Sequence, residues 1–100
     1  MATTIKIGKF DFLCKSAWDN IAFHHTADAI YKWKHVGYAY CQYYNRTWER
    51  WTYQTAVLDA LYNAKEKYSP RKWSEYEEWI NSPLKKDIDE ARQLARDNLY

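Results

Sequence analysis

Glycine, proline and cysteine are scarce in this chain: its 100 residues hold two of each. So few backbone breakers argue against a disordered or linker-like sequence, which would be rich in them. Two cysteines, Cys14 and Cys41, are too few for the disulfide framework of a small exported domain. No run of about 18 apolar residues exists, so no segment reads as a membrane-spanning helix. The opening Met1-Ala2-Thr3-Thr4-Ile5-Lys6 lacks the apolar stretch of a secretory signal. The expectation from these absences is a cytoplasmic protein without a membrane partner, its thiols reduced and behaving as small buried hydrophobes. Charge is weak as a signal too. A net charge of +2 does not by itself imply a nucleic-acid partner. Its spread is mild, +3 over residues 1–50 and −1 over residues 51–100.

What the chain has is aromatic rings: six Trp, ten Tyr and three Phe. One hundred residues predict a single domain, 1–100. A chain of this length buries only about two-thirds of the surface its unfolded form exposes, and large rings compensate for a modest core.

Helical periodicity is clear after Thr52. Tyr53, Ala56, Val57, Ala60, Leu61 and Ala64 recur at the spacing of one helical face, predicting a helix over 53–67 with Thr52 as its N-cap. Ser69-Pro70 reads as a second start, for a helix over 70–80 with Trp73, Tyr76 and Ile80 on one side. Ser82-Pro83 repeats that signal and opens a third helix with an apolar stripe of Leu84, Ile88, Ala91, Ala95 and Leu99. The first half is mixed. Ile5, Ile7, Phe10 and Phe12 alternate with polar residues around Gly8, as short strands do. Residues 17–24 and 26–33 read as helical. Residues 38–44 alternate as a strand, with Tyr38, Tyr40, Gln42 and Tyr44 on one face and Ala39, Cys41 and Tyr43 on the other. Residues 47–51 read as a further strand after a turn at Asn45-Arg46. The fold class expected is α+β: a small antiparallel sheet in the N-terminal half packed against about three C-terminal helices, with an all-α fold as the alternative.

Catalytic signatures are missing. There is no G-x-S-x-G, Walker or zincin pattern. His24 and His25, with His35, Cys14 and Cys41 as helpers, do not have the paired spacing of a zinc site, and adjacent histidines on a helix point about 100° apart. No enzyme activity, metal or cofactor is expected. Glu75, Glu77 and Glu78 could imitate a phosphate track, but Arg71, Lys72, Lys85 and Lys86 nearby fit a solvated helix face. On the last helix, Asp89 and Arg92 read as an i,i+3 pair.

The most informative stretch is 31–53. It holds nine of the 19 aromatics, interleaved with Lys32, Lys34, His35, Arg46 and Arg50 against Glu49 as its one acid. Tyrosine, tryptophan and arginine are the usual anchors of protein interfaces, and rings with cations also suit nucleic acid. The binding residues expected are Lys32, Lys34, Tyr38, Tyr40, Tyr44, Arg46, Trp48 and Arg50. Both tyrosine-bearing faces of the strand cannot be buried at once, so some of these rings should be exposed.

Tyr43-Tyr44-Asn45-Arg46-Thr47-Trp48-Glu49-Arg50-Trp51-Thr52-Tyr53-Gln54 resembles a stretch of small uncharacterised phage and mobile-element proteins. It covers about an eighth of the chain. Small size and aromatic richness also resemble the phage-encoded inhibitors that include anti-CRISPR proteins, a group without a common fold. The resemblance implies a non-catalytic protein that docks on a bacterial protein or ribonucleoprotein complex, such as a CRISPR-Cas effector, in the host cytoplasm and inhibits it. The alternative is a small nucleic-acid-binding module using the same aromatic-basic surface.

Overall fold

Alternating apolar residues build the first half and a 3.6-residue period builds the second. The computed structural model describes residues 2–18, 20–21, 23–43 and 50–98. Four strands come first: β1 (Ala2–Ile7), β2 (Phe10–Trp18), β3 (Phe23–Tyr31) and β4 (Lys34–Tyr43). Three helices follow: α1 (Arg50–Tyr68), α2 (Trp73–Ile80) and α3 (Pro83–Asn98). The strands form one antiparallel sheet in the order β1-β2-β3-β4. The fold is α+β.

The β1–β2 turn uses Gly8, whose φ of 58° is the positive value a two-residue hairpin turn requires. Register places Ile5 opposite Phe12 and Ile7 opposite Phe10. Phe10, Phe12 and Cys14 on β2, His25, Ala27, Ala29 and Tyr31 on β3, and Ala39 on β4 are buried on the helix side. Small residues on β3 and β4 set how closely α1 can lie. Ala27, Ala29 and Ala39 meet a helix face made of Ala56, Val57, Ala60, Leu61 and Ala64, all buried. The closest approach is at Gly37, where an added Cβ would lie 2.1 Å from the Ala60 carbonyl oxygen. The larger Phe10 and Phe12 fill the core beside the buried Ile88, Ala91 and Ala95 of α3.

The Ser82-Pro83 signal starts α3 as expected: Ser82 Oγ accepts from the Lys85 amide at 3.3 Å and donates to the Trp79 carbonyl at 2.7 Å. A polar tie joins sheet and helix. The Tyr31 hydroxyl donates to Asp87 at 2.6 Å, and Lys9 Nζ lies 3.5 Å from the same carboxylate. Burial pushes the Cys14 thiol up to about 11, in keeping with a small buried hydrophobe.

Several sequence expectations are corrected. The described residues of 17–24 and 26–33 are not helical: 17–18 lie in β2, 23–31 in β3, and 32–33 in the turn after it. His24 and His25 therefore point to opposite faces of a strand rather than 100° apart. His25 is buried and shares a hydrogen bond of 2.7 Å with Ser16 Oγ, while His24 is on the other side. Thr52 is no N-cap, because α1 already begins at Arg50. Of the strand expected over 47–51, residues 47–49 lie outside the described residues and Arg50 and Trp51 are helical. The second helix starts at Trp73, not Pro70, and Lys72 at its start makes no side-chain cap. Its buried residue is Trp79, whereas Trp73, Tyr76 and Ile80 are exposed. On α3, Asp89 pairs with Lys85. Leu84 is half-buried, and Leu99 lies outside the described residues.

Candidate functional site

Because the helices cover one side of the sheet, every second strand residue is left on a side that no described helix covers. That face carries Thr4 and Lys6 from β1, Asp11, Leu13 and Lys15 from β2, His24, Thr26, Asp28 and Ile30 from β3, and Tyr38 and Tyr40 from β4. Leu13 and Ile30 are half-buried in its middle. Tyr38 and Tyr40 stand side by side along the edge strand, 50% and 51% exposed. Two ring surfaces of that size, half in water, are not needed by the core.

The tyrosines are held in place. Tyr40 shares a hydrogen bond between its hydroxyl and His24 Nδ1, and the two rings lie tilted with centroids 5.5 Å apart. Asn63 on α1 donates from its side-chain amide to the Tyr38 carbonyl oxygen at 2.6 Å, fixing the backbone under that ring. His35 Nδ1 is 3.9 Å from Asp28, an ion pair when the imidazole is protonated. Rigid rings of this kind offer contact area at little entropic cost. Along the strand positions of the face, charge cancels: Lys6 and Lys15 stand against Asp11 and Asp28.

At one end of the face the β3–β4 hairpin turns through Lys32 and Trp33, with φ of 49° and 68°. Lys32 Nζ reaches back over the Tyr31 ring, 5.3 Å from its centroid. Trp33 is 97% exposed. A second exposed pair, Trp73 and Tyr76, meets edge to face at 5.4 Å on α2.

Of the expected binding residues, Tyr38 and Tyr40 come together on the open face, while Lys32 lies in the turn at its end and Lys34 directly after it. Tyr44, Arg46 and Trp48 lie outside the described residues, and Arg50 enters only as the first backbone residue of α1. Trp33, His24, Leu13 and Ile30 are not among the binding residues expected from the sequence, where His24 reads only as a candidate metal ligand and Trp33 only as one ring of the stretch 31–53. Reading 26–33 as a helix hid Trp33, since a Lys-Trp pair carries none of the Asn-Gly chemistry that marks a hairpin turn.

Among the described residues no group of three or more His, Cys, Asp or Glu side chains is placed to share a metal ion. No helix of the described residues is long and apolar enough to cross a membrane. Comparison with known proteins finds no family model that matches the chain, no matching curated protein and no matching solved structure.

Proposed function

We propose that the chain is a non-catalytic docking protein of the phage or mobile-element kind, which lays the uncovered face of its sheet on a bacterial protein or ribonucleoprotein complex and blocks it sterically. A CRISPR-Cas effector in the host cytoplasm is the partner to test first. One observation carries the reading: helices cover one side of the sheet, while the other presents two half-exposed tyrosines held by His24 and Asn63. Folding alone does not require rings on that side. Exposed aromatics on a rigid support are typical interface anchors. The balance of Lys6 and Lys15 by Asp11 and Asp28 favours a protein surface over a polyanion for this face.

The test is genetic and direct. The chain is expressed in bacteria whose CRISPR-Cas system targets a challenging phage, across a panel of system types. Restored plaquing in one type, lost in the Tyr38→Ala/Tyr40→Ala double variant with an unchanged melt, is the expected result. No restoration in any type removes the inhibitory reading. Restoration that survives the double variant moves the docking surface elsewhere on the molecule.

A further inference from the structure

Folding explains the β3–β4 turn less well than any neighbouring part. Lys32 and Trp33 both occupy the left-handed backbone region, where two-residue hairpins normally place Asn, Asp and Gly. A tryptophan there is a steric outlier. Strained residues of this kind persist where the surroundings enforce them, and they gather at binding sites. The indole gives the fold little in return, being 97% exposed. Lys32 and Lys34 stand on either side of it, both exposed. Next to it, on the open side of the sheet, is a cleft of about 280 Å³. It is lined by the half-buried Leu13 and Ile30, by Asp11 with its carboxylate, and by Lys9 and Lys32, the Lys9 ammonium being paired with Asp87.

We propose that this hairpin tip binds single-stranded nucleic acid. One base stacks on the Trp33 indole, the adjoining base sits in the cleft against Leu13 and Ile30, and Lys32 and Lys34 meet the phosphates. Unpaired strands expose the base faces that such stacking needs, whereas a duplex hides them. Lys32 and Lys34 on either side of one indole complement a phosphate chain, unlike the charge-balanced strands of the docking face, while Lys9 is held by Asp87. Asp11 gives the cleft a preference. A carboxylate accepts from amino-bearing bases, and guanine offers it two adjacent N–H donors where thymine offers one. This inference goes beyond the docking reading and does not depend on it.

Fluorescence anisotropy tests it with two labelled twelve-nucleotide strands, oligothymidine and an alternating guanine–thymine sequence, at low salt. Both should bind, the guanine-containing strand more tightly. Trp33→Gly should weaken binding about tenfold, the scale of one lost stacking contact. Its melting temperature should hold or rise, because glycine accepts the left-handed turn without strain. Trp33→Phe keeps a stacking face and should bind within about threefold of the parent chain, which guards against a Trp33→Gly variant that simply folds poorly. Lys32→Gln and Lys34→Gln should each lower the salt slope by about 0.7. Tyr38→Ala should leave oligonucleotide affinity unchanged, which separates this site from the docking face. Lack of saturable binding by either strand overturns the proposal. So does equal binding by Trp33→Gly, or duplex binding as tight as single-strand binding. Loss of a protein partner in Trp33→Gly, with no oligonucleotide bound, would assign the tip to protein recognition instead.

Discussion

Tyr31 brings its hydroxyl into the contact between the sheet and α3, where it donates to Asp87. Burial, the hydrogen bond to Asp87 and the charge of that carboxylate together push its pKa from 10.0 up to about 12. A tyrosine held neutral in this way ionises first in the unfolded chain. The stability it contributes is therefore complete below about pH 10 and is lost as pH rises toward about 12. Two pKa units correspond to on the order of 2–3 kcal/mol. Tyr31→Phe should cost about 1.5–3 kcal/mol at neutral pH, the range for a hydrogen bond to a charged group. Denaturant melts of the two proteins from pH 8 to 12 check this. Their difference should shrink across the alkaline window, and a constant difference would mean that ionisation of Tyr31 is not coupled to folding.

Between elements, the closest fit is β4 against α1. Gly37 lets the strand approach because any Cβ there would run into the Ala60 carbonyl, a backbone atom that cannot turn aside. Gly37→Ala should cost about 1–3 kcal/mol by forcing the two apart. Leu61→Ala, at a fully buried site on the same helix, should cost about 2–5 kcal/mol by leaving a cavity. Tyr62→Ala, half-exposed beside it, should fall below about 0.5 kcal/mol. Urea melts rank the three, and a Gly37→Ala cost as small as that of Tyr62→Ala would mean that β4 and α1 separate without loss. This close packing also explains which elements were legible in the sequence. α1 and α3 were, because each has an apolar stripe and α3 also has its Ser-Pro start. β3 was not. Its core-facing residues include Ala27 and Ala29, small because α1 lies so near, and alanine next to His24 and His25 carries no strand preference of its own. Tertiary packing made a strand of a segment whose local composition leans towards helix. The start of α2 misled for a related reason. Ser69-Pro70 has the composition of a helix start, but the chain runs on through Arg71 and Lys72 before the helix begins at Trp73.

For the molecule as a whole, the asymmetry of the sheet decides what it can do. One side is covered by α1 and α3, and the other offers two surfaces of different character. The strand positions are nearly neutral and carry Tyr38 and Tyr40, while the hairpin tip is basic and carries Trp33. The candidate site was half legible for the same reason. Alternation alone put Tyr38 and Tyr40 on a common face, but which side the helices cover depends on contacts far apart in sequence. The two surfaces should respond differently to salt. Docking through the tyrosines on a protein exchanges few counterions, so its affinity should change by less than about threefold between 50 and 200 mM salt. Binding of a single strand at the tip releases about 0.7 counterion per phosphate engaged, so the two contacts of Lys32 and Lys34 should lose roughly sevenfold over that range. A partner identified from the plaquing panel allows both titrations on one protein preparation. Docking that weakens as steeply as oligonucleotide binding would mean that the partner is held through its nucleic acid. In that case the tyrosine face would lose its role as the primary contact, and Trp33→Gly would abolish inhibition in cells where Tyr38→Ala does not.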